Sequence, residues 1–313
     1  MENAAPLCGV VIVNWCGAAD TIACWKSVVQ STYAQLEILV IDNASPDGSF
    51  DVMAGALSSG GAEAQQYVTL LRNDQNLGYA AANNRGIREC IQRGCEYVLV
   101  LNNDTLVAPD AIAALITVAR RRPKAGLIGA CIVDYTEPDR LQCLGGARLN
   151  RWLLRTRNVG EGESRAKMTL DSDRRSSRVD YISGACVLVR REFFANVGAM
   201  REDLFLYGEE LDWAIRARRA GWEQAVSPTA VVRHRSTTDE PRKREAALYY
   251  FVRNGLVLLR AYYPIALVSA FTAQLLRSVL LQVVGRGGEA RAVRRGLVAL
   301  LRGDRGADGI QDK

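Results

Sequence analysis

One histidine stands in 313 residues, and the eight cysteines include no C-x-x-C pair. Both shortages exclude a zinc ribbon or a histidine-rich metal cluster. Most of the cysteines (8, 16, 24, 90, 95, 131, 143 and 186) sit in apolar or helical surroundings, as reduced thiols of a cytosolic protein do. Met1 to Val13 has no basic n-region and no long apolar run, so no signal peptide is expected. Internal repeats are absent. A net basic charge is missing from most of the chain as well. Residues 240–313 hold 13 Lys/Arg against 6 Asp/Glu, whereas the other 239 residues hold 27 against 28, so the net +6 belongs to the C-terminal quarter. That distribution argues against a nucleic-acid binder and for a local contact with an anionic surface.

What is present is an ordinary globular composition, 49% hydrophobic and 24% charged, in a chain long enough for one large domain plus an extension. Apolar runs at Val10–Val13, Glu37–Ile41, Val68–Leu71 and Tyr97–Leu101 predict strands. Helical patterns at Asp20–Ser31, Ser49–Leu57 and Tyr79–Gln92 alternate with them, which implies right-handed βαβ units and a mostly parallel sheet. Pro109 is expected in the first turn of a helix reaching about Arg122, followed by a strand over Gly126–Val133. Residues 151–178, rich in Arg, Ser, Gly and acids, predict a long surface loop able to act as a lid. An apolar strand broken by small residues follows at 180–189, then a helix from Gly208 to about Ala220 and a strand near Gln224–Val232.

Beyond Arg244 the chain is helical. Pro264–Val284 is about long enough to span a bilayer, but Arg277 lies well inside it, and a central charge costs about 2.5–3.5 kcal/mol on insertion scales. A helix lying in the membrane interface fits better. Arg286, Arg291, Arg294 and Arg295 flank Leu297, Val298, Leu300 and Leu301, a basic amphipathic pattern suited to anionic lipid. Packing on the domain, or a homodimer contact, is the competing use of the same surface.

The chemistry concentrates at strand ends, where open α/β sheets bind ligands. Val98–Leu101 runs into Asn102-Asn103-Asp104, a strand tip with one carboxylate suited to Mg²⁺ or Mn²⁺ on a phosphate. Asp42 ends the second strand before a Ser-Pro-Asp-Gly turn, where an acid can accept from ribose hydroxyls or a base imide. Gly78, Ala80, Ala81 and Ala82 permit close approach at a helix N-terminus, and Asn83 and Asn84 are poor helix formers in that helix. His234 ends a late apolar strand, and its neutral ring can ligate a metal. Glu209, Glu210 and Asp212 crowd one helical turn below Phe205 and Tyr207. Acids there satisfy the helix dipole, and one turned inward would serve as a general base.

Taken in order, these motifs resemble glycosyltransferase family 2, the inverting nucleotide-sugar transferases of GT-A fold, and within it the rhamnosyltransferase-like branch that builds bacterial surface polysaccharides. The markers are Val11-Ile12-Val13-Asn14-Trp15, Ile41-Asp42-Asn43-Ala44-Ser45, Asn76-Leu77-Gly78-Tyr79 with Asn84 and Gly86, Leu101-Asn102-Asn103-Asp104, Ser183-Gly184-Ala185, Gly208-Glu209-Glu210-Leu211-Asp212-Trp213 and His234-x-Ser236, with weaker similarity through Tyr249–Asn254. The resemblance implies a GT-A catalytic domain over residues 1–240, Rossmann-like in its nucleotide-binding half, and a membrane-associating helical extension over 241–313.

It further implies that Asn14 and Asp42 hold nucleobase and ribose, and that Asn43, Asn76, Gly78, Asn84 and Asn103 belong to the donor pocket. Asp104, the last acid of the family's D-x-D, and His234 would hold a divalent cation. The catalytic base is expected at Glu210 or Glu209, with Asp212 beside them; Glu210 departs from the family's usual Asp. Asn102 replaces the first D-x-D acid. The implied donor is a nucleoside-diphosphate sugar, dTDP-rhamnose in this branch, and the acceptor a glycan or polyprenyl-linked hydroxyl. The implied location is the cytoplasmic face of the cell membrane, with the enzyme bound peripherally. Two other readings use the same residues: a non-catalytic membrane-associated nucleotide-sugar binder, and a nucleotidylyltransferase. The second is disfavoured because Asn14–Ala18 carries no cation.

Overall fold

A computed structural model describes residues 5–60, 66–166, 179–235 and 241–307. The first half runs β1 (Cys8–Asn14), α1 (Ala18–Val29), β2 (Leu36–Asp42), α2 (Ser49–Ser59), β3 (Val68–Arg72), α3 (Gly78–Gln92), β4 (Tyr97–Asn102), β5 (Thr105–Val107) and α4 (Ala111–Arg121). Then come β6 (Ala125–Asp134), β7 (Leu141–Leu144), β8 (Gly146–Asn150), β9 (Arg155–Asn158), β10 (Tyr181–Ile182), β11 (Cys186–Arg190) and α5 (Arg191–Val197). The chain finishes with α6 (Glu209–Arg219), β12 (Glu223–His234), α7 (Pro241–Tyr262), α8 (Pro264–Val283) and α9 (Gly287–Arg302).

The main sheet has the order β3-β2-β1-β4-β11-β6-β12-β5, with β7 against β6. β1, β2, β3, β4, β6 and β12 share one direction, and β5, β7 and β11 oppose it. The expected mostly parallel sheet is therefore present, with antiparallel insertions in its second half. β1 and β4 are apolar along nearly their whole length because helices cover both faces. Register aligns Asn14 with Asp42 and Val13 with Asn102, so the polar tips of β1, β2 and β4 meet at one rim. The chain reverses its order between β1 and β4, and that switch point opens the cleft described below.

Several expectations need correction. Pro109 lies before α4, which starts at Ala111. The supposed loop 151–178 contains β9, paired with β8 in a second sheet of order β10-β8-β9. Its Leu154 is buried against α7, and Gln274 of α8 donates to the carbonyls of Leu153 (2.9 Å) and Leu154 (3.0 Å). This part is anchored and no free lid; residues 167–178 lie outside those described. Alternating polarity hid β8 and β9 because a short exposed hairpin has no apolar run to signal it.

The C-terminal helices do not form a separate appendage. α7 shares a hydrophobic core with α8 and α9, and Leu204, Leu211 and Ile215 of the preceding domain belong to the same core. The proposed boundary at residue 240 falls among residues not described. α8 packs through Ala266, Ala270, Gln274, Ser278 and Leu281, and turns Ile265, Val268, Leu276, Val279, Leu280 and Val283 outward. It is the one helix among the described residues long and apolar enough to cross a membrane.

Candidate active site

β4 ends where β12 returns to pair with β5, and this pairing sets His234 opposite Thr105. The Arg235 amide donates to the Asp104 carbonyl at 3.0 Å, which brings the two side chains together. His234 Nε2 lies 3.3 Å from Asp104 Oδ1, across 130 residues of sequence. That Asp104 oxygen is buried and has no hydrogen-bond donor among the described residues. Gln142, on β7, grips the histidine twice: its Nε2 donates to the His234 carbonyl at 2.6 Å, and its Oε1 faces His234 Nδ1 at 2.8 Å. With the amide oriented by the first bond, Nδ1 must carry the proton in the neutral ring, and the Nε2 lone pair points at Asp104. Two lone-pair atoms facing each other without a proton between them fit a cation. Among the described residues no third His, Cys, Asp or Glu joins them, so further ligands would come from a bound diphosphate or water.

The two glutamates enter from the opposite wall. The loop 204–208 leading into α6 is strained: Phe205 (φ 66°) and Tyr207 (φ 64°) both adopt left-handed backbone, which non-glycine residues avoid. α7 holds that loop in place. Asn254 Nδ2 donates to the carbonyls of Leu204 (2.9 Å), Leu206 (2.8 Å) and Tyr207 (2.6 Å), and Arg253 Nη2 also donates to Leu204 O at 2.8 Å. The Tyr79 amide takes the Phe205 carbonyl at 2.7 Å. Removing one polar partner from such a buried network leaves several groups unsatisfied. Asn254→Ala is therefore expected to cost at least about 2 kcal/mol of stability, read by denaturant unfolding, and to lower turnover through a displaced α6.

Gly184 sits against Glu210, and a side chain there would meet Glu210 Oε1 at 2.1 Å. The Gly184 amide helps to hold the Glu210 carboxylate. Burial raises the carboxyl pKa of Glu210. Burial, followed by the charge of Glu210, pushes Glu209 well above the usual range, and Glu209 Oε2 has no hydrogen-bond partner among the described residues. Burial, then the carboxylates of Glu210, Glu209 and Asp104, also raise Tyr207 to about 12. All three acids therefore act on one space.

The raised Glu209 value has a consequence for stability. The folded state holds that proton more tightly than the unfolded chain does. The resulting stabilisation is complete below the unfolded carboxylate pKa and is lost as pH rises through the folded value. Glu209→Gln cannot ionise, so the variant is expected to melt above the wild type near about pH 8 and with it near about pH 4, in paired thermal melts.

Between the walls lies a cleft of about 490 Å³ lined by Asn43, Asn76, Gly78, Asn103, Asp104, Glu209 and Glu210, with aromatic sides from Trp15, Tyr79, Phe205, Tyr207 and Tyr250. Seven of the residues read from the sequence thus meet here. Five do not line the cleft; of these, His234 stands behind Asp104 at 3.3 Å, and the other four are held elsewhere. Asn14 and Asp42, expected on the base and ribose, are fully buried and satisfied by each other (2.8 Å), by Ser45 and by Thr21. Asn84 exchanges hydrogen bonds with the Met200 backbone at 2.8 and 2.9 Å, which explains its place inside α3. Asp212 faces away, gripped by Arg216 (2.6 Å) and the Tyr262 hydroxyl (2.6 Å).

Each of these four side chains is held by protein partners. Asn43 carries their order into the cleft: its Nδ2 donates to Asn76 Oδ1 at 2.8 Å, and its Oδ1 accepts from Asn73 Nδ2 and the Leu77 amide. Sequence reasoning set Phe205 and Tyr207 over the acids but missed Tyr250 and Gln142. Trp15 stood inside a recognised motif, but nothing in the pattern showed that it is 45% exposed at a cleft mouth.

The family model "Glycosyltransferase like family 2" matches residues 5–249. The chain belongs to that family. This glycosyltransferase is 32% identical over 241 residues to the N-acetylglucosaminyl-diphospho-decaprenol L-rhamnosyltransferase of Mycobacterium tuberculosis, covering 71% of this chain and 74% of the relative. It superposes with a TM-score of 0.61 and 15% identity on a Pyrobaculum calidifontis mannosyltransferase solved with GDP-Man and Mn²⁺, covering 96% of this chain and 88% of that one. The TM-score with GalNAc-T7 in complex with UDP, GalNAc and Mn²⁺ is also 0.61, at 16% identity, covering 81% of the glycosyltransferase and 48% of GalNAc-T7. The fold is thus GT-A, and the enzyme reading replaces the non-catalytic one.

Proposed function

We propose that this glycosyltransferase transfers a sugar, with inversion, from a nucleoside-diphosphate donor to a hydroxyl of a lipid-linked glycan acceptor in cell-envelope synthesis. The observation that carries the reading is the meeting of an acid pair with raised pKa values and the Asp104–His234 pair across one cleft. Rhamnose from dTDP-rhamnose is the favoured sugar, on the branch resemblance and on the name of the mycobacterial relative.

Glu210 acts as the base. Its carboxylate takes the proton of the acceptor hydroxyl, which attacks the anomeric carbon on the face opposite the diphosphate. Burial keeps Glu210 proton-affine, and the charge of Glu210 in turn helps to hold the proton on Glu209. Trp15 gives the nucleobase an apolar face, and Asn43, Asn76, Gly78 and Asn103 shape the donor pocket. Asp104 and His234 would hold Mg²⁺ or Mn²⁺, which offsets the charge growing on the leaving diphosphate. The aromatic sides exclude water that would otherwise hydrolyse the donor. The outward apolar face of α8 and the arginines of α9 hold the enzyme peripherally on an anionic membrane at its cytoplasmic side.

Thermal-shift screening against dTDP-, UDP- and GDP-sugars with Mn²⁺ or Mg²⁺ tests the donor. Stabilisation that needs both nucleotide and metal, with slow release of nucleoside diphosphate, is the expected result. Pyrophosphate handling, or no response to any of the three, would overturn the proposal.

A further inference from the structure

A second recess lies behind the base. The donor cleft shares Tyr207 and Glu210 with a smaller chamber of about 190 Å³, roughly monosaccharide-sized, which reaches Gly184 and Thr156. That chamber shares Thr156, Tyr207 and Phe251 with an outer recess of about 490 Å³. Four guanidinium groups, Arg155, Arg244, Arg277 and Arg286, line the outer recess against the single carboxylate of Glu289. Glu289 is already engaged by Arg286 (2.6 Å), with Arg244 at 3.9 Å.

Arg277 is the odd member. It interrupts the most apolar helix of the chain, and its polar contact is a long one to Gln274 Oε1 (3.4 Å). Burial, then the like charge of Arg155, lower its pKa, so the fold places cations together at a cost. No carboxylate among the described residues pairs with Arg155 or Arg277 at ion-pair distance. Such a concentration of guanidinium is stabilised by a polyanion with several oxygens, which arginine forks bind bidentately. The same helix that carries Arg277 presents Leu276, Val279, Leu280 and Val283 to solvent, so an anion in the recess can have an apolar chain attached.

We propose that this recess binds the diphosphate of a lipid-linked acceptor, with the first sugar in the chamber beside Glu210 and the lipid tail along α8. The inference rests on the transferase reading above and names its acceptor site. One sugar ring then separates the base from the anion, in the order chamber, recess, apolar face. A phospholipid headgroup shares the phosphate chemistry, but a bilayer lipid has no reason to lead to the base.

Binding of farnesyl diphosphate, farnesyl monophosphate and farnesol to the full chain, in chelator without divalent cation, tests this directly. Diphosphate is expected to bind best and farnesol worst. Arg155→Gln, on an exposed strand where folding is not at stake, is expected to weaken diphosphate binding by about tenfold, and the Arg155→Gln/Arg277→Gln pair by more. Asp104→Ala should leave it within about twofold, because the donor site is elsewhere. Diphosphate binding lost with Asp104→Ala and kept with the arginine variants would place the probe in the donor site and overturn the proposal. Equal binding of farnesol, or stronger retention on phosphatidylglycerol vesicles than on the diphosphate with the same arginine dependence, would overturn it too. None of these readouts involves sugar transfer, so failure of the donor screen is scored separately.

Discussion

Glu210→Gln is expected to lower turnover by about 10²–10⁴-fold while donor-nucleotide affinity stays within about threefold. The amide keeps the volume and the hydrogen bond from Gly184, yet cannot take a proton. Glu209→Gln should cost much less, because Glu210 alone borders both the donor cleft and the inner chamber. The pH profile supplies the second readout. Burial raises the carboxyl pKa of Glu210, so kcat/KM is expected to fall as pH drops through that raised value. Equal losses in both glutamine variants would remove Glu210 from its role.

Asp104→Ala is expected to abolish metal-dependent nucleotide-sugar binding and to reduce transfer by at least about 10²-fold. Asp104 offers the pair's only carboxylate, so metal affinity without nucleotide should already be weak in the wild type. Gln142→Leu reaches the same site from behind. It removes both bonds that fix His234 and should weaken Mn²⁺ binding with nucleoside diphosphate by about 10–100-fold. The chain has a single histidine, so ring-nitrogen NMR reports it alone. The wild type should show the proton on Nδ1, and Gln142→Leu a mixture of tautomers. A wild-type ring protonated on Nε2 would contradict the site geometry.

Sequence periodicity was enough for β1 through β4 and for α4, though not for the three-residue β5 between them, because a parallel sheet covered on both faces demands long apolar runs, and helices between them demand a 3.6-residue pattern. It was not enough for the short strands β7, β8 and β9. Strands of four or five residues leave too short a pattern to signal, and the predicted loop there holds β9 of an anchored three-stranded sheet. The site divided in the same way. Asp104, Glu209 and Glu210 were legible as acids at a strand tip and a helix start, because the chemistry needs charge at the rim of the sheet. That protein partners already hold the side chains of Asn14, Asp42, Asn84 and Asp212 was not legible, since a buried hydrogen-bonded polar group and a ligand-binding one look alike in one dimension.

By itself, then, the sequence determined the α/β half-sheet, the polar rim at its strand ends and the basic C-terminal quarter. All three follow from local pattern and composition. The tertiary structure alone decided which carboxylates face the cleft, that Gln142 orients His234, that α7 grips the strained loop through Asn254, and that four arginines from three separate segments share one recess. Each of those is a meeting of residues distant along the chain. Such meetings are set by register and packing between elements, which no local spacing encodes.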